Sequence, residues 1–116
     1  MVAGTETQSE YVCMAMGHPS IHVETFYWKL DTQALVDRTN IPVLILPAKG
    51  DPDEYRVDGT YFQSFKGRYP TSRVLDFPEE DHGFIPRGDL SNETTKQAVD
   101  FCLQEILLFF EKHVAI

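Results

Sequence analysis

The sequence predicts an α/β fold of about three parallel strands with flanking helices, the last of them long. Three observations carry this. Strand and helix signals alternate three times along the chain. Residues 41–48 (IPVLILPA) form a branched apolar run with little polar alternation, the pattern of a strand covered on both faces. From Thr94 onward, apolar side chains recur at helical spacing almost to the end. Strand, helix, strand, helix, strand, helix in that order implies parallel strands joined by right-handed crossovers.

The first strand signal is residues 11–16 (YVCMAM), a short apolar run closed by Gly17 and Pro19. Residues 22–30 carry Phe26, Tyr27 and Trp28 without periodicity, so neither helix nor strand is favoured there. Asp31 is placed to cap a short helix through Asp37, with Ala34 and Leu35 expected to face inward. Residues 41–48 are the clearest strand. After the break at Lys49-Gly50-Asp51-Pro52, residues 53–66 place Val57, Tyr61 and Phe65 four apart, which predicts a helix stopped by Gly67. Residues 73–77 (RVLDF) read as a third strand ended by Pro78, followed by a long loop. Thr94 and Gln97 make a capping box for the final helix. Its residues Ala98, Phe101, Cys102, Ile106, Leu107, Phe109 and Phe110 cover most of the circumference, so deep packing is expected.

Composition narrows the partners. The 116 residues are 42% hydrophobic, enough for one core and one domain. Residues 1–10 read as a polar leader and residues 11–116 as the domain. Eighteen acidic residues against ten basic ones leave a net charge of −8. That charge disfavours phosphate backbones and anionic lipid surfaces, so neither nucleic acid nor membrane is an expected partner. The leader lacks the basic flank and apolar stretch of a secretory signal. The longest apolar runs, residues 43–46 and 106–110, fall far short of the roughly 20 residues that span a bilayer. A soluble, cytoplasmic chain is the expectation. Cys13 and Cys102 form no disulfide framework, and each lies in an apolar stretch that suits a buried free thiol.

In parallel sheets, ligands and catalytic groups gather beyond the C-terminal ends of the strands. Asp51 follows the strongest strand and His82 the third, so neighbouring parallel strands would bring both to one edge. A carboxylate holding an imidazole through its Nδ1 proton fixes the tautomer needed for general-base work. Residue type alone leaves two other roles open. An aspartate after a strand also caps the next helix, and a histidine in an acidic loop is also an ordinary solvated residue.

Beyond these two residues, Gly17-His18-Pro19-Ser20, the strand running into Gly50-Asp51-Pro52, and His82-Gly83-Phe84 followed by Arg87-Gly88-Asp89 and a long helix containing Ala98 fall in a distinctive order. In that order and spacing the chain resembles the C-terminal half of the dienelactone hydrolase family, within the α/β-hydrolase superfamily. The resemblance covers roughly residues 11–114. It implies a partial α/β-hydrolase-like sheet, ester or lactone hydrolysis through a nucleophile-Asp-His triad, Asp51 as the acid, His82 as the base, and no cofactor. It also suggests Arg87 as a contact for a substrate carboxylate, against the alternative of a surface ion pair with Asp81 or Asp89.

The family's nucleophile sits on a Gly-x-Cys-x-Gly elbow, and no such pattern occurs in these 116 residues. Cys13 precedes Asp51 but lies in an apolar run without flanking glycines, unlike an activated thiol. Ser9, Ser20 and Ser64 lie in the leader, the His-Pro-Ser turn and a helix. The chain is therefore expected to hold the acid and base of a triad without its nucleophile, and to join another chain, self-associate, or belong to a longer protein that covers the open sheet edge. The alternative is an inactive relative serving as a structural or interaction subunit. His18 and His22 have the four-residue spacing of metal ligands on a helix, but Pro19 and the want of a third ligand argue against a metal. Arg87-Gly88-Asp89 reads as loop chemistry, and Phe26, Tyr27 and Trp28 as either core or pocket lining.

Overall fold

A computed structural model describes residues 12–17, 19 and 31–114. The expectations placed on residues 1–11, His18, Ser20, His22, Phe26, Tyr27 and Trp28 lie outside them. In chain order the described elements are β1 (Met14–Gly17), α1 (Thr32–Asp37), β2 (Val43–Leu46), β3 (Ala48–Lys49), a 3₁₀ turn (Asp53–Tyr55), α2 (Thr60–Arg68), β4 (Arg73–Val74), β5 (Phe77–Asp81), α3 (Phe84–Arg87) and α4 (Glu93–His113).

Three strands form the sheet, all parallel, in the order first, second, third. β1 pairs with β2 from Met14 opposite Val43 to Gly17 opposite Leu46. Pro47 separates β2 from β3 because it has no N–H to donate. The ladder nevertheless continues across that point, since Leu75 N donates to Ile45 O at 2.9 Å and Phe77 N to Pro47 O at 2.9 Å. β2 with β3, and β4 with β5, thus act as two long strands. The third strand does not end at Pro78; it runs through it to Asp81, which an edge strand tolerates.

Alternation along the central strand sorts the core into two halves. Val43 and Ile45 point to one face, where Met16, Val36, Tyr55, Phe62 and Phe65 complete a buried cluster beneath α1 and α2. Leu44, Leu46 and Ala48 point to the other, packing with Phe84, Val99, Cys102 and Phe109 from α3 and α4. All four residues of β2 are fully buried, as the unalternating run predicts. The result is a mixed α/β protein: a small parallel sheet covered on both faces, with a long C-terminal helix.

Local readings need several corrections. In α1 the Asp31 side chain caps Ala34 N at 3.3 Å as anticipated, but Thr32 and Val36 are the buried positions and Ala34 is exposed. Residues 53–66 do not form one helix. Arg56 is extended and Val57 is 57% exposed, so the pattern Val57, Tyr61, Phe65 is genuine only from Tyr61 onward. The physical cause is the Arg56 side chain, which bonds back to the preceding turn rather than lying along a helix. Gly67 is not the stop either; α2 continues to Arg68, whose guanidinium bonds Val36 O at 2.6 Å and also Asp37 O. The loop after β5 contains α3, and α4 is capped by Asn92 accepting from Thr95 N at 3.2 Å, not by Thr94.

The largest difference concerns α4. Only Val99, Cys102 and Phe109 are fully buried, while Phe101, Leu103, Leu107, Leu108 and Phe110 are exposed. A three-stranded sheet is narrow, and a single helix laid along it covers its width with one stripe. Beside that stripe Ala98 and Ile106 still pack on the core and Phe101 meets Phe77 at 6.2 Å between ring centroids, but Leu103, Leu107, Leu108 and Phe110 stay exposed. Among the described residues no helix is long and apolar enough to cross a membrane.

Candidate functional site

Strand register assembles the site. Ala48 pairs with Phe77 and Lys49 with Asp81, so β5 gains extra residues against β3 and its end is drawn level with the end of β3. Asp51 lies two residues beyond Lys49 and His82 one beyond Asp81, which leaves them side by side. His82 Nδ1 is 2.6 Å from Asp51 Oδ1. A carboxylate only accepts, so the ring nitrogen facing it carries the proton and donates.

Asp51 is built in. Its side chain is 4% exposed. Its other oxygen, Oδ2, accepts from Ala48 N at 2.8 Å, and its own N–H donates to Ala48 O at 3.1 Å, closing a tight turn. Gly50 sits inside that turn at φ +83°, a left-handed conformation that side chains other than glycine's oppose. The helix-cap role that residue type left open for Asp51 is not what it does. The following 3₁₀ turn has no side-chain cap, and the carboxylate turns back to Ala48 and across to His82.

His82 is 43% exposed and stands on a turn whose next residue, Gly83, has φ +88°. The Arg87 guanidinium lies over Gly83, with Nη2 only 2.5 Å from where a β-carbon would be. Gly83 therefore serves both the backbone turn and the close approach of Arg87. Phe84 anchors this loop into the core under α4, its ring tilted against Phe77 at 5.4 Å between centroids.

A cleft of about 570 Å³ opens beside His82, with Glu80, Asp81, Arg87, Asp89 and Asn92 in its wall. Among the described residues Arg87 makes no ion pair with Asp81 or Asp89. Asp89 instead accepts from the hydroxyl and the backbone N–H of Ser91, and these bonds hold its carboxyl below the usual range. The wall thus presents one guanidinium among three carboxylates.

Neither cysteine is an activated thiol. Burial raises the Cys13 thiol, and burial followed by the Glu80 carboxylate pushes Cys102 up to about 12. Ser64 is occupied on α2, where its hydroxyl donates to Asp37 at 2.6 Å. No cluster of three or more His, Cys, Asp or Glu suited to a metal occurs among the described residues.

One residue of the site was missed from the sequence. Arg56 donates from Nη2 to Ala48 O at 2.8 Å and to Asp51 O at 3.2 Å, and from Nη1 to the Asp76 carboxylate. No spacing signal marks it, because an arginine inside an apparent helix reads as a solvated face. No family model, curated relative or solved structure matches this chain.

Proposed function

We propose that this chain carries the acid and base of an ester- or lactone-hydrolysing site of the dienelactone hydrolase type, on a sheet resembling part of an α/β-hydrolase. The observation that supports the reading is the 2.6 Å contact of a buried carboxylate with His82 Nδ1, beyond the ends of adjacent parallel strands. With Nδ1 committed to Asp51, Nε2 is the nitrogen that exchanges protons. It takes the proton of a nucleophile as that nucleophile bonds to the substrate carbonyl carbon. It then gives the proton to the leaving alkoxide as the ester bond breaks, producing an acyl-enzyme. Water reverses the sequence: His82 deprotonates it, the acyl bond is cleaved, and the proton returns to the nucleophile. Asp51 stabilises the imidazolium formed at each step.

In this reading the nucleophile and oxyanion donors come from outside these 116 residues, in another segment or a partner chain. The β1 edge of the sheet, which pairs with no further strand among the described residues, is where the strand that would carry them fits. The cytoplasm is the compartment that suits free cysteines. Arg87, in the cleft wall, is the cation that would meet an anionic substrate group.

The test begins with the coding sequence preceding Met1, searched for Gly-x-Cys-x-Gly or Gly-x-Ser-x-Gly. Hydrolysis of a p-nitrophenyl ester by the protein containing that elbow should fall by about 10⁴ in kcat on His82→Ala. Turnover indifferent to His82→Ala overturns the reading. A second reading, an inactive relative kept as a structural or interaction subunit, draws on the raised thiols of both cysteines. Turnover abolished by His82→Ala would refute it.

A further inference from the structure

The Asp51 turn and the His82 strand are separate pieces of chain, and one side chain outside the dyad bonds to both. The Arg56 guanidinium is 20% exposed and its donors are divided. Nη2 holds the Ala48 and Asp51 carbonyls, the first and last residues of the Gly50 turn. Nη1 holds Asp76, which lies between β4 and β5 on the strand that ends at His82. Nε reaches Asp53 at 3.3 Å, but that carboxylate is 95% exposed and anchors little.

The geometry points to Arg56 as a positioning residue that sets the distance and angle between Asp51 and His82. Its role in hydrolysis rests on the function proposed above, whereas its role in geometry is independent of it. The planar guanidinium supplies five donors in a fixed fork, so bonds made by Nη2 and Nη1 constrain each other. Holding two carbonyls on one side and a carboxylate on the other fixes the turn against the neighbouring strand. A lysine ammonium on a flexible stem has no such fork. Catalytic pairs need placement within about 0.5 Å, and a short Asp–His bond between two loops does not secure that alone.

The experiment uses the 116-residue chain and reads the His82 ring by long-range ¹H–¹⁵N NMR, at a pH where the ring is neutral, with His82→Gln for assignment. The wild type should show the Nδ1–H tautomer with a downfield Nδ1 proton. Arg56→Ala should lose that proton signal and shift the ring at least fivefold towards Nε2–H, with Arg56→Lys failing to rescue it. Asp76→Asn, which loosens only the strand side, should fall between. A folded Arg56→Ala with a wild-type ring spectrum overturns the proposal. If Arg56→Ala does not fold, Asp76→Asn decides, and an unchanged ring then overturns it. A wild-type ring lacking the Nδ1–H form overturns the dyad itself, and the hydrolase reading with it.

Discussion

The turns bearing Asp51 and His82 have the same local device and opposite settings. Each contains a glycine at φ near +85°, Gly50 at +83° and Gly83 at +88°. The Asp51 carboxylate is buried although Lys49 and Gly50 are exposed, and its turn is closed by its own backbone, bonded through Oδ2 and clamped by Arg56. The His82 turn projects into a cleft, with a ring 43% exposed, and is secured from below by Phe84. The acid is part of the core's hydrogen bonding, while the base is presented to solvent. Such a division suits a pair in which one member must stay fixed and the other must meet a substrate.

The largest test of that contrast replaces the two residues themselves. Asp51→Ala strips the acceptor from the buried Ala48 N–H and should cost about 1–3 kcal/mol in urea unfolding. His82→Ala lets water reach Asp51 Oδ1 through the space the ring vacates, and should cost less than about 1 kcal/mol. Equal losses would mean that the acid is no more embedded than the base.

A smaller effect separates the glycines. Gly50→Ala adds a β-carbon with nothing within 4 Å, so it meets only left-handed strain, about 1–2 kcal/mol before the unfolded-state gain of about 0.4–1 kcal/mol. Gly83→Ala meets the same strain and must also push the Arg87 guanidinium aside. It should therefore be the more destabilising of the two, by about 1 kcal/mol or less, and should open the cleft wall at Arg87. Thermal unfolding of both variants, each compared with wild type, checks the order.

How far this contrast could be read from sequence depends on the range of the forces involved. Strand positions followed from residues 43–46, where burial on both faces leaves an unmistakable apolar run. The approach of Asp51 to His82 followed from parallel neighbours alone. The register that brings them to 2.6 Å did not, because it depends on extra residues in β5 that no local pattern encodes. The break before α2 was hidden for a related reason. Val57 keeps helical spacing with Tyr61 and Phe65, yet Arg56 bonds to carbonyls five and eight residues back and to a carboxylate twenty residues on. On α4, hydrophobicity all round suggested burial all round, but burial is limited by the width of the sheet, which is a property of the whole described fold.

The smallest effect lies in the core on the two faces of the sheet. On one face the core is Val43, Ile45, Phe62, Phe65 and the Tyr55 ring, whereas on the other, with Ala48 and Phe84, Cys102 is fully buried and feels the Glu80 carboxylate. Burial first and that charge second push the thiol from 9.0 to about 12. Below pH 9 the thiol is protonated in both folded and unfolded chains and contributes no pH dependence. Between 9 and 12 the unfolded chain releases the proton and the folded one keeps it, so stability falls as pH rises. At pH 10 only the first unit of that window has been crossed, and the loss should be smaller than that of Asp51→Ala. Urea unfolding at pH 8 and pH 10 should show a decline that Cys102→Ala reduces, because alanine has no proton to lose. An identical decline in the variant would place the alkaline sensitivity elsewhere and remove this difference between the two sides.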